Sequence, residues 1–148
     1  MNNKIPPPTV TLVFGLAIYF SKPLFPDFSN LILNVLSLLL IIVGPLTLIS
    51  AARSFKVQET TINPINIDKA TSLVVSGVFK YSRNPMYLGM ALILLSISFK
   101  FNLLGGIFFT LLFAIYITRF QIIPEEAVME KLFSDDFQKY KSKTRMWI

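Results

Sequence analysis

The chain has 148 residues and contains neither cysteine nor histidine. Without cysteine there is no disulfide, no thiolate nucleophile and no thiolate-ligated zinc. Without histidine there is no imidazole base for a hydrolytic triad and no imidazole metal ligand. Charge is scarce as well, at 15% of residues against roughly a quarter in a soluble domain. What fills the sequence instead is apolar: 53% of residues are hydrophobic and the mean hydropathy is +0.62. That is the composition of an integral membrane protein. The net charge of +6 is therefore a matter of where the charges fall and not a sign of nucleic-acid binding. Any chemistry must rest on carboxylates, tyrosines, arginines, backbone groups or a cofactor, with no metal site expected.

Apolar runs and their interruptions predict an all-α fold: a polytopic helical bundle of about four transmembrane spans with a cytoplasmic amphipathic C-terminal helix. A basic start (Met1 to Lys4) and Pro6-Pro7-Pro8 lead into a first span of about residues 7–25. It is not read as a cleaved leader, because no small-residue cleavage site follows it. After the turn PLFPDFSN, the second span covers about 31–52, with Gly44-Pro45 expected to kink it. A connection over residues 53–84 carries ETTINP, the Asp68-Lys69 pair and the apolar SLVVSGVF, with Gly77 offering a turn. The third span, about 85–99, turns at Lys100, Asn102 and Gly105-Gly106 into the fourth, about 103–123. Pro124 then opens a further helix, with tail, over 124–148, in which Val128, Leu132, Phe133, Phe137 and Tyr140 make an apolar stripe. The basic tail KYKSKTRMWI suits an anionic headgroup surface.

With four spans, Lys22 and Lys100 lie on one side and the other twelve lysines and arginines on the opposite side or its boundary. The positive-inside rule makes the richer side cytoplasmic, together with both termini.

The decisive stretch is KYSRNPMYLG, Lys80 to Gly89. Asn84 is a suitable N-cap for the free N–H of Met86 or Tyr87, and Pro85 falls at the first helical position, where its missing N–H is not needed. A long apolar helix thus presents its positive dipole end at the water boundary beside Arg83 and two tyrosines, a place suited to an anionic group. Arg119, Gln121, Glu125 and Glu126 reach the same boundary. On an unbroken helix Arg119 and Glu126 share one face, and Gln121 and Glu125 another. Each of these residues taken singly is explained by capping, dipole compensation or snorkelling. Together they suit a ligand that carries both an ammonium and a carboxylate. Glu125 would take the ammonium and the Asn84-Pro85 helix start, with Arg83, the carboxylate. Leu73, Val74 and Phe79 would offer an apolar slot for a flat ring. S-adenosylmethionine has these three parts, and the absence of Gly-x-Gly-x-x-Gly after a strand excludes a Rossmann-type methyltransferase.

The run LVVSGVFKYSRNPMYLG, the Glu125-Glu126 pair one span later and LFSDDFQKYKSKTRMW together resemble the isoprenylcysteine carboxyl methyltransferase and phospholipid methyltransferase family, over roughly Thr60 to Trp147. The resemblance implies a bacterial- or archaeal-type membrane enzyme with S-adenosylmethionine bound at its cytoplasmic end. Its cofactor contacts would be Leu73, Val74, Phe79, Tyr81, Asn84, Pro85, Tyr87, Gly89 and Glu125, and its catalytic residues Arg83, Arg119 and Glu126. Two departures bear on the substrate. Asn84 stands where the eukaryotic isoprenylcysteine enzymes have histidine, and Gln121 stands at their substrate-facing arginine, with Arg119 the nearest replacement.

Methyl transfer from a sulfonium is an in-line displacement governed by alignment. A carboxylate nucleophile needs no general base, which favours carboxylate O-methylation of a lipophilic acceptor reaching the site between spans three and four. An amine or thiol would need Glu126 or Tyr87 to take its proton. Phospholipid N-methylation, small-molecule S- or O-methylation and a non-enzymatic membrane scaffold are the competing readings. The expected partners are a lipid or lipophilic substrate in a prokaryotic cytoplasmic membrane, without nucleic acid; the oligomeric state is left open.

Overall fold

A computed structural model describes residues 5–58 and 71–148. The basic start at Met1 to Lys4, the ETTINP stretch from Glu59 and the Asp68-Lys69 pair lie outside the described residues. Five α-helices follow in order: α1 (Pro7–Phe20), α2 (Leu31–Val57), α3 (Pro85–Phe101), α4 (Leu103–Ile117) and α5 (Ile123–Lys143). Among the described residues there is no strand.

Several boundaries differ from those expected. The first helix stops at Phe20, where the Ser21 hydroxyl turns back onto the Ile18 carbonyl and a single 3₁₀ turn, Lys22–Leu24, takes over. At 14 residues it is about 21 Å long, short of a bilayer's hydrocarbon core. The second runs to Val57 and not to 52. It starts on a true cap, with the Asn30 side chain accepting the Leu33 N–H at 2.9 Å, and keeps Pro45 inside it. Among the described residues, two helical stretches are long and apolar enough to cross a membrane: α2, and the continuous run from Leu103 through α5. The apolar part of the latter ends at Ile123.

α3 is the central element and packs against α1, α2 and α4. Lipid offers helices no hydrophobic drive to associate, so close backbone approach and interhelical hydrogen bonds do that work. The buried residues of α2 are Ser37, Gly44 and Ala51, seven residues apart on the side facing α3. Ser37 and Ser96 each donate to the other's carbonyl, at 2.9 and 2.8 Å. Gly44 and Gly89 meet so closely that a Cβ on either would lie 2.9 or 2.8 Å from the other's carbonyl oxygen. Leu31, Ile32, Leu38 and Ile42 remain exposed on the other side of α2.

The α3–α4 hairpin turns on one residue, Asn102, whose Oδ1 accepts the Gly105 N–H while its Nδ2 donates to Ser21 Oγ and the Ile18 carbonyl. The two glycines expected to form this turn lie inside α4 instead. Gly106 is pressed on Ser98, where an added Cβ would sit 2.3 Å from the serine Cβ. Gly106→Ala is expected to lower stability by about 1–3 kcal/mol, the usual cost of overpacking. Thermal unfolding in a fixed detergent checks this, and an unchanged midpoint would mean that the hairpin gives way freely.

Pro124 does not start a separate helix. α4 continues into α5 through a π turn, Thr118–Ile122, which tolerates a proline nearby because its bonding frame is already shifted. The added residue undoes the expected alignment: Arg119 is exposed, whereas the Glu126 side chain is largely buried. α5 in turn bends sharply at Ser134 (φ 36°, ψ −111°). Glu130 bonds both Gln138 and Lys141, partners that a straight helix would carry about 12 and 16 Å along its axis. Most of the expected apolar stripe still packs inward, with Phe133 against the same cluster as Phe137 and Tyr140. Leu132 is exposed, while Phe137 and Tyr140 swing back to bury themselves with Ala51, Val74 and Phe79.

Candidate active site

Between the apolar part of the bundle and this folded-back segment lies a cluster of polar side chains. It is built on the first turn of α3, reached by a 3₁₀ turn, Gly77–Lys80. Gly77 has φ +63°, so the turn depends on glycine at that position. Pro85 occupies the first helical position as the sequence predicts, but Asn84 does not cap the helix with its side chain. Its Nδ2 donates instead to the Met146 carbonyl at 3.0 Å, and its own N–H is taken by Ser82 Oγ at 3.1 Å. The amides of Met86 and Tyr87 thus have no side-chain partner at the positive end of α3.

Arg83 is committed within the protein. Its Nε and Nη2 lie 2.9 and 2.8 Å from Glu126 Oε1, its Nη1 donates to the Thr144 carbonyl, and its N–H meets the Arg145 carbonyl at 3.0 Å. The two side chains of the ion pair are only 8% and 13% exposed. The tail backbone is therefore docked on the α3 start, while the Lys139, Lys143 and Arg145 side chains stay exposed. Trp147 Nε1 adds a bond to Thr118 Oγ1 at 3.2 Å, and Tyr140 donates to the Phe79 carbonyl at 2.7 Å. Burial pushes the Tyr140 phenol above its ordinary value, so that donor stays protonated.

Glu125 differs from its neighbour. It accepts the Tyr87 hydroxyl at 2.5 Å, and no cation pairs with it among the described residues. It lies past the apolar part of its helix. Burial is the main reason its pKa rises to about 7, with the Tyr87 hydrogen bond lowering it and the charge of Glu126 raising it. One turn earlier, Gln121 is 2% exposed. Its Nε2 donates to the Ile5 carbonyl at 3.0 Å, and its Oε1 has no hydrogen-bond partner.

The structure thus brings Arg83, Asn84, Pro85, Tyr87, Glu125 and Glu126 together. The residues expected to form a flat slot pack in an aromatic cluster that adjoins the α3 start: Val74 and Phe79 are buried against Phe137 and Tyr140, with Leu73 and Met86 beside them and the Phe55 ring edge-on to Phe79. Gly89 is accounted for by its contact with Gly44. Tyr81 is 78% exposed, and Arg119 is exposed on the π turn. Ser82, Thr144 and Met146 belong to the cluster without having been singled out. Residues 32–136 match a known family, described as phospholipid methyltransferase.

The chain belongs to the phospholipid methyltransferase family. The matched stretch holds every polar side chain of the cluster except those of the tail, and it leaves out α1. A 74-residue segment of this family member is 34% identical to the protein-S-isoprenylcysteine O-methyltransferase of Schizosaccharomyces pombe, covering 48% of the chain and 30% of that protein. The chain therefore spans less than a third of that relative. A 63-residue segment is 35% identical to an uncharacterized protein of Haemophilus influenzae, covering 43% of the chain and 100% of the relative. No solved structure matches.

Proposed function

We propose that this family member is an S-adenosylmethionine-dependent membrane methyltransferase acting on a lipophilic acceptor. The observation that carries the reading is Glu125, a partly buried carboxylate without a cationic partner beside the uncapped start of α3. An ammonium fits the first and a carboxylate the second, the two ends of the amino-acid moiety of S-adenosylmethionine. When bound, the cofactor supplies a methyl group on a sulfonium. The chain would hold it with Glu125 and the amides of Met86 and Tyr87. Tyr87 would orient Glu125, while the Arg83–Glu126 pair and the docked tail keep the helix start in place.

In this reading α1 to α4 are four spans and the polar end faces the cytoplasm, since Lys22 and Lys100 mark the other end. The acceptor would enter from the bilayer between α3 and α4. Carboxylate O-methylation is the chemistry that needs least from the chain, because a carboxylate nucleophile has no proton to lose. With Arg83 held by Glu126, Arg119 is the cation left for such an acceptor.

The test is calorimetric titration of the detergent-purified protein with S-adenosylhomocysteine, followed by labelled methyl transfer to prenylcysteine, phosphatidylethanolamine and small thiols. Binding should tighten as pH rises through about 7, because Glu125 must ionise before it can hold an ammonium. A flat pH profile would remove Glu125 from the site. No binding by folded protein in several detergents or lipids would leave a scaffold.

A further inference from the structure

We propose that Gln121 is a second acceptor for the cofactor's ammonium group, acting beside Glu125; this rests on the function proposed above. The polar groups of buried glutamines are nearly always paired, so an orphan among them calls for a ligand or a water. Gln121 Oε1 is the one buried side-chain oxygen or nitrogen without a partner among the described residues. Exchanging the ends of the amide does not repair this. The Ile5 carbonyl can only accept, so the nitrogen must face it and the oxygen must face away.

Its position points to the same ligand as Glu125. The two residues are one turn apart on consecutive turns of one helix, separated by the end of the π turn and Pro124. Proline has no N–H to give the preceding turn, so this stretch of helix is short of donors as well. An ammonium brings three N–H donors into one small volume. One oxygen of Glu125 already receives the Tyr87 hydroxyl, and a single carboxylate so engaged cannot meet all three. Gln121 Oε1 supplies a further acceptor and no further charge.

The experiment compares two ligands by calorimetry: S-adenosylhomocysteine, and its analogue with hydrogen in place of the α-amino group. The proteins are wild type, Gln121→Met and Gln121→Glu, each with its melting midpoint. Gln121→Met should weaken S-adenosylhomocysteine about tenfold or more, the range for a hydrogen bond to a charged group, and the deamino analogue less than twofold. Gln121→Glu keeps an acceptor and loses the bond to Ile5, so it should retain the preference for the amino ligand. Equal weakening of both ligands by Gln121→Met would overturn the proposal in favour of a structural tie or a buried water. So would a Gln121→Glu variant that loses the preference while folding normally. Wild-type protein that binds the two ligands equally would overturn the proposal and remove Glu125 as an ammonium site. Wild-type protein that binds neither would overturn the function itself.

Discussion

Glu125→Ala is expected to weaken S-adenosylhomocysteine by a factor of about 30 to several thousand. That range follows from about 2–5 kcal/mol for removing one partner of a buried, hydrogen-bonded charge pair. The protein itself should survive the change. The pKa of Glu125 rises from its ordinary 4.5 to about 7, so between those values the folded chain holds a proton that the unfolded chain has released. Stability from this group is present below about pH 4.5 and is lost as pH rises through about 7. At neutral pH the fold thus gains little from the carboxylate. Truncation removes that burden but leaves the Tyr87 hydroxyl without its acceptor, and the two effects oppose each other. Glu125→Gln keeps an acceptor for Tyr87 and removes only the charge. Loss of affinity in both variants with melting midpoints near wild type is the expected pattern. Full affinity in either one would show that the ammonium, if bound, sits elsewhere.

Arg83→Ala should act in the opposite sense, on the fold first. It leaves Glu126 without its partner in a site where both side chains are almost covered, and breaking a buried pair from one side costs about 3–5 kcal/mol. It also loosens the tail, whose Thr144 carbonyl loses its donor while Asn84 still holds the Met146 carbonyl. The chain has one tryptophan, Trp147, so tail release should register as a red shift of its emission. Lysine is a poor substitute, since a compact ammonium cannot serve Glu126 and the Thr144 carbonyl at once as the guanidinium fork does. Arg83→Met combined with Glu126→Leu should regain much of the lost stability, because no charge is left stranded. A loss below about 1 kcal/mol for Arg83→Ala, the value of an exposed pair, would mean that water reaches the site freely.

The sequence made the helices legible because their signals are local. Asn30 caps α2, Pro85 opens α3, and the apolar runs are unmistakable. The polar cluster was legible for a similar reason, since Arg83 to Tyr87 and Glu125-Glu126 are contiguous. What could not be read depends on distant partners. Asn84 looked like a cap, yet a tail carbonyl sixty-two residues away claims its side chain. Arg83 looked available for a ligand, yet Glu126 holds it. The π turn has no composition of its own, and one extra residue there was enough to turn Arg119 away from Glu126. Ser134 gives no warning of a bend, because serine rarely adopts positive φ and does so here under the pull of Phe137 and Tyr140 into the aromatic cluster.

The α3–α4 hairpin closes through a bond between residues three apart. The bonds that complete the polar cluster join residues separated by 38 to 64 positions. Closing so long a loop carries an entropic cost that a local turn does not. Lateral bonds between helices span as many positions, 59 for Ser37–Ser96 and 81 for Asn102–Ser21, so what sets the cluster apart is that it also needs the tail to return. Loss of the tail's contacts would open the cluster while leaving the helix pairs in place. A chain whose helices have all formed and paired can therefore still lack its polar cluster.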